Sequence, residues 1–211
     1  AMLEGAKTNL DRHIRNMSGF GMPVVVSINR FASDTDAELD ALADAARASG
    51  AYDVCLTEVH ARGGEGGAPL AKAVVRAVQD HVAAGRPFTP LFMPDAPVME
   101  KVEGIAKRLY GAEAVTVSAS AKKQLDRFAA WGYGHLPVCM AKTQYSFSHD
   151  AGGLGAPTGF TLPVAEFRLN AGAGFMVAIL GNMMTMPGLP KRPAAADMDM
   201  DEHGMLKGVF G

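Results

Sequence analysis

One tryptophan, four tyrosines and two cysteines in 211 residues are few, and each scarcity removes a class of protein. Two cysteines cannot by themselves complete a structural zinc site or staple a small secreted domain. Cys55 and Cys139 each lie within an apolar strand-like run, so both are expected to be buried free thiols in a reducing compartment. Neither sign of charge prevails: 20 Lys+Arg face 22 Asp+Glu, a formal net of −2. That balance argues against a nucleic-acid protein held by phosphate neutralisation. No apolar run approaches the roughly 18 residues of a membrane-spanning helix. Residues 1–7 carry Glu4 and Lys7 and lack the apolar segment of a secretory signal, so the expected setting is the cytoplasm. At 48% hydrophobic and 20% charged, the chain has the composition of a globular protein with a sizeable core.

What is present is an alternation. Met22 to Asn29 is a β-branched run of the kind covered on both faces in a parallel sheet. Thr35 and Glu38 then have capping-box spacing, Leu39, Leu42, Ala43 and Ala46 recur at helical period, and Gly50 ends the helix. Tyr52 to Val59 predicts a second strand, and the link Gly63-Gly64-Glu65-Gly66-Gly67 leads into a helix with Pro69 in its first turn. Leu70, Val74, Ala77 and Val78 are expected on the buried face of that helix. Phe88 to Met93 predicts a third strand and Val98 to Leu109 a third helix. Val115 to Val117, a helix over 120–130, the apolar run His135 to Ala141, a strand over 160–169 and the run Phe175 to Leu180 follow. Met186 to Pro190 is expected to be extended loop, and Met198, Met200, Met205 and Leu206 flank a hairpin turn at Glu202-His203-Gly204. The fold class is therefore α/β, with mostly parallel sheets, covering helices and a C-terminal hairpin. A boundary near residues 108–112 divides it into two small lobes, 1–108 and 109–211.

Several kinds of chemistry are missing. No Gly-x-x-x-x-Gly-Lys-Ser/Thr loop exists for nucleotide phosphates, and no Gly-x-Ser-x-Gly elbow for a nucleophilic serine. The six histidines have no metal-ligand spacing, and Asp197-Met198-Asp199-Met200-Asp201 fails as a calcium loop because Glu202 and Gly208 occupy its glycine and glutamate positions. No metal site is expected. Residues 63–67 lie where a strand hands over to a helix, a place that favours anions; a flexible connection explains the glycines equally, and Glu65 would repel a phosphate. In open α/β sheets ligands sit beyond the carboxyl ends of strands. Phe31 and His60 follow the first two strands, so two flat side chains are placed to flank one crevice and sandwich a planar heterocycle, although an inward Phe and a surface His explain the same positions. Lys142-Thr143-Gln144-Tyr145-Ser146 is rich in hydrogen-bonding groups, and its default reading is a solvated loop.

Longer blocks carry a resemblance. Phe20-Gly21-Met22-Pro23-Val24-Val25-Val26 through Asn29 and Phe31, the glycine link 63–67, Leu136 through Ser146, Ala171 through Phe175 and Met184 through Pro190 together resemble formate–tetrahydrofolate ligase over nearly the whole chain. That family joins formate to tetrahydrofolate with ATP and Mg2+ through formyl phosphate, giving 10-formyltetrahydrofolate. The resemblance implies that this chain is its C-terminal part, inactive alone, with the P-loop and most of the ATP and Mg2+ contacts in a missing N-terminal half. It further implies a homo-oligomer when full length and a possible monovalent cation. It places the folate site at Phe31, Leu56, His60 and Asn29, beside the loop Gly63, Gly64, Glu65 and Gly66. The family's second ring is usually Trp; His60 stands there instead, offering less stacking area and a charge that switches near neutral pH. The alternative is a non-catalytic folate-binding or assembly module.

Overall fold

A computed structural model describes residues 2–181 and 192–208. The chain opens with α1 (Met2–Gly5), a π-helical stretch over Ala6–Leu10 and α2 (Asp11–Ser18), which bury Ala6 and Ile14. Strands β1 (Val25–Asn29) and β2 (Asp53–Thr57) pair in parallel, with α3 (Asp36–Ala48) as the crossover between them. The predicted capping box is formed. Thr35 Oγ1 accepts from the Glu38 N–H, and the Glu38 carboxylate accepts from the Thr35 N–H at 3.1 Å. After β2 come the one-turn helix α4 (Val59–Arg62), a 3₁₀ stretch over Gly63–Gly67 and the long helix α5 (Ala68–Ala83). The side of α5 that packs inward is carried by Ala73 and Ala77, whose small side chains let the helix lie close on the strands. Val74 and Val78, expected inside, are exposed.

The predicted strand over 88–93 is absent. Pro87, Pro90 and Pro94 remove the N–H groups a ladder needs, and the segment is irregular. It is held instead by the Thr89 N–H donating to the Phe20 carbonyl at 2.9 Å and by Phe88 stacked on Phe20 at 5.8 Å.

The second sheet contains β3 (Ala114–Val117), β4 (Val138–Ala141), β5 (Thr161–Asn170) and β6 (Phe175–Leu180), in the order β3-β5-β6-β4. β3 runs parallel to β5 and β4 to β6, while β5 and β6 form an antiparallel hairpin at the centre. That hairpin turns through 171–173 into Gly174 at φ +72, a conformation only glycine adopts freely. Helix α6 (Val98–Gly104), the π-helical stretch Ile105–Tyr110 and α7 (Ala119–Ala130) accompany this sheet. Its core joins Leu162, Val164, Phe167, Met176, Ala178 and Leu180 with Val98, Val102, Ala106 and Phe128. Val98, Val102 and Ala106 form one helical stripe, so this stretch, on the amino side of the expected boundary near residue 108, packs with the lobe that follows it. Cys55 is buried as expected, but Cys139 is exposed, between the half-buried Val138 and Met140 of β4. The C-terminal hairpin pairs β7 (Asp199–Met200) with β8 (Leu206–Lys207). The expected loop over 186–190 lies outside the described residues.

The two sheets are tied through α2. Asn16 Nδ2 donates to the Leu109 carbonyl at 2.9 Å, and the His13 and Phe147 rings meet at 4.9 Å.

Lys101, 1% exposed, is the most unusual member of the interior. Its ammonium donates to the carbonyls of Pro94 at 2.6 Å, His135 at 2.5 Å and Leu136, tying two irregular loops to α6. Burial lowers its pKa, and Asp95 and Glu100 oppose that shift. Lys101→Met fills a similar volume but strands three carbonyls, so it should cost about 2–4 kcal/mol, read as a lower urea midpoint.

Candidate functional site

The site begins with a register. Asn29 sits opposite Thr57 at the carboxyl ends of β1 and β2, and the Arg30 N–H donates to the Thr57 carbonyl at 3.0 Å, carrying the ladder one residue further. Below it, the Ser27 and Thr57 hydroxyls bond at 3.0 Å, and Thr57 is buried. Whatever follows the two strands therefore emerges side by side.

After β1 the chain is pinned at once. The Phe31 N–H donates to the Asp34 carboxylate at 2.8 Å, and the Asp34 N–H returns to the Phe31 carbonyl at 3.1 Å. Arg30 pairs with Asp36 at 2.9 Å in the first turn of α3. The Phe31 ring is left 63% exposed beyond the strand end, although burial of a Phe is ordinarily worth roughly 1.5–3 kcal/mol. Asn29 is exposed as well. On β2, side chains alternate: Cys55 and Thr57 are buried, and Leu56, in register with Ile28, is exposed near the strand end. His60 is exposed on α4. The four residues singled out from the sequence thus lie within a few positions of two adjoining strand ends.

The glycine loop closes onto the same place. The Glu58 N–H donates to the Gly66 carbonyl at 3.1 Å, folding residues 63–67 back over the end of β2. Gly66 is buried, and a Cβ there would fall 2.4 Å from the Glu58 carbonyl oxygen. Gly63 has φ +58, and Glu65 is exposed. Arg62 pairs with Glu58 at 3.3 Å, so α4 is braced from both sides. Gly66 is demanded by a close backbone approach and Gly63 by its positive φ, whereas a Cβ at Gly64 would meet open space.

Two features escape the sequence reading. The segment 142–146 is solvated only in part: Gln144 and Tyr145 are exposed, but Ser146 is buried with Phe147 and Ser148 after it, and the Ser146 hydroxyl lies 2.9 Å from that of Ser148 and donates to the Gly153 carbonyl at 2.5 Å. Lys142 donates to the Thr143 and Ser146 carbonyls and sits 5.1 Å from the Tyr110 ring centre, and burial lowers its pKa. Secondly, a cavity of about 700 Å3 lies at the amino ends of β1 and β2, bounded by Met22, Pro23, Tyr52, Asp80, His81 and Arg86. There the Tyr52 hydroxyl donates to Asp80 at 2.5 Å, which raises the Tyr52 pKa. Trp131 takes no part in either place; it caps α7 and packs on Phe128.

The model of the family described as formate–tetrahydrofolate ligase matches residues 1–210. The chain belongs to that family. The formate–tetrahydrofolate ligase of Paracoccus denitrificans is 50% identical over 210 residues, covering 100% of this chain and 37% of the relative. That of Lactiplantibacillus plantarum is likewise 50% identical over 210 residues, and that of a Ruegeria species is 49% identical over 202. The chain thus spans about 37% of the length of the ligases it matches.

Gly66→Ala should displace the ligase loop or cost about 1–3 kcal/mol. The expected signature is amide shifts confined to residues 58–68 in a two-dimensional NMR spectrum, with a lower melting temperature.

Proposed function

We propose that this chain is the carboxy-terminal portion of a formate–tetrahydrofolate ligase and supplies the half of the site that holds the folate. The observation that carries the reading is the exposed Phe31 ring just beyond β1, with Leu56 exposed on β2 and His60 exposed on α4, near the ends of two strands held in register. An exposed aromatic ring on a braced turn, with a second flat side chain following the neighbouring strand, suits a planar heterocycle better than it suits a fold core. Asn29, beside Phe31, offers an amide for the polar edge of the pterin.

ATP and Mg2+ fit the described residues poorly. Among them no three His, Cys, Asp or Glu side chains converge as metal ligands, and the glycine loop presents the Glu65 carboxylate without a following Lys-Ser/Thr pair. We therefore assign activation of formate as formyl phosphate to polypeptide outside this chain, which is inactive alone. What these residues contribute is placement: stacking fixes the pterin plane so that the acceptor amine of tetrahydrofolate meets an activated formyl carbon. Product 10-formyltetrahydrofolate, a cytoplasmic setting and a homo-oligomer for the complete protein belong to the same proposal. Among the described residues no helix is long and apolar enough to cross a membrane.

His60 distinguishes this site. An imidazole stacks with less area than an indole. Titrating folate by tryptophan fluorescence or calorimetry tests the reading: Phe31→Ala should weaken binding by about 1–3 kcal/mol, roughly 5- to 150-fold. His60→Trp should tighten it several-fold. Equal affinities for wild type and Phe31→Ala would exclude the clamp. Formyltetrahydrofolate synthesis only on co-expression with the rest of a ligase chain would separate the enzyme from a non-catalytic folate-binding module.

A further inference from the structure

Helix α5 is apolar on two sides. Ala73 and Ala77 seat it on the parallel strands, yet Ala71, Val74, Val75, Val78 and Val82 make a second stripe at positions i, i+3, i+4, i+7 and i+11. That stripe faces outward, with Val75 55% and Val82 71% exposed. A helix apolar on more than one face is normally interior, and contiguous apolar patches on a finished surface mark an interaction site. The ridge is flanked on both sides. A shallow groove of about 430 Å3 runs along Ala71, Lys72, Val75 and Arg76. A second, of about 250 Å3, lies between Val74 and Val78 of α5 and Met22, Pro23 and Val25. The latter opens at β1, whose only partner among the described strands is β2. Parallel sheets occur with covered faces and seldom as two strands. Two polar groups at the ridge's border are engaged, Arg76 with Asp53 at 2.6 Å and Asp80 with Tyr52 at 2.5 Å, while Lys72 and His81 lie at the edges of the two grooves, so the ridge itself offers apolar contact with polar groups at its rim.

We propose that the valine ridge of α5 and the groove beside β1 are the seat of an apolar helix from the part of the ligase polypeptide that lies outside this chain. The length of the relatives supplies the occupant: the chain accounts for 37% of the Paracoccus ligase, leaving most of that polypeptide to be accommodated. The spacing supplies its form, since side chains at three- and four-residue intervals present ridges that another helix's grooves accept. The inference rests on the reading of the chain as one portion of a longer ligase, but not on the folate site.

The test is co-expression of the tagged full chain with the part of the Paracoccus denitrificans ligase that it does not match, followed by affinity purification. The wild type should retain its partner. Val75→Glu combined with Val78→Glu should lower retention at least tenfold without changing the chain's own melting temperature, because both sites are exposed, whereas Lys123→Glu on α7 should leave it unchanged. If the double variant is unstable, Val75→Cys carrying a polarity-sensitive dye keeps the question open to measurement: its emission should shift to the blue in the complex. Equal retention of wild type and double variant, an unshifted dye, or no retention of the wild type would overturn the proposal. So would a homodimer of this chain that the double variant abolishes, since the occupant would then be a second copy. Folate titration of wild type and Phe31→Ala on the same preparations keeps the readings apart, as loss of the clamp with intact, ridge-dependent retention would overturn only the folate assignment.

Discussion

The in-register parallel pairing of β1 with β2 is the constraint on which the rest of the candidate site depends. Because side chains alternate along a strand, a slip of one residue would put Cys55 where Leu56 stands and turn Thr57 away from Ser27. The hydroxyl contact between Ser27 and Thr57 and the bond from Arg30 to the Thr57 carbonyl favour one register at the end where it matters. From that point the two exits need only short devices. One is an aspartate that takes the Phe31 amide; the other is a glycine-lined return that takes the Glu58 amide. Neither holds the aromatic or imidazole ring directly. They fix the backbone from which the rings project, which is how a loop site acquires precision from a rigid sheet.

Local chemistry made much of this legible in the sequence. The capping box at Thr35 and Glu38, the β-branched run before Asn29 and the hairpin turn at 202–204 are all decided by neighbours within a few residues, and each forms as expected. The strand wrongly expected over 88–93 failed for an equally local reason, since three prolines outweigh its apolar residues. The outward turn of Val74 and Val78 was another matter. Helical period identifies stripes, but α5 has two, and the sequence does not say which one meets the sheet. Alanine won because a helix lying on paired strands approaches more closely through Ala73 and Ala77 than through valine.

Contacts between distant residues were not legible at all. Lys101 reads as one more charge on an amphipathic helix, yet it is sealed beneath carbonyls 7 and 34 residues away. Ser146 and Ser148 look like loop residues but hydrogen-bond with each other inside, beside the buried Phe147 that receives the His13 ring. In both cases a polar side chain meets backbone left unpaired by irregular segments, and burial of the one requires burial of the other. Such pairings depend on where the loops end up, a property of the assembled fold.

That dependence bears on how a reaction can be divided over a polypeptide. Stacking a pterin requires a flat, partly dehydrated cleft, whereas phosphate handling requires clustered donors and cations, and the proposed folate role draws on apolar surface such as that of Phe31 and Leu56. Phe31 and Leu56 leave apolar surface in water, and so does the valine ridge of α5. On the proposed reading the first pair would gain cover from a ligand between the strand exits, and the ridge from protein lying on α5. The two surfaces belong to the same small sheet, one at the carboxyl ends of its strands and the other along the helix packed upon it. A helix seated on α5 would therefore press on the strands from whose ends Phe31 and His60 follow, so a contact that completes the fold would also bear on the proposed folate site.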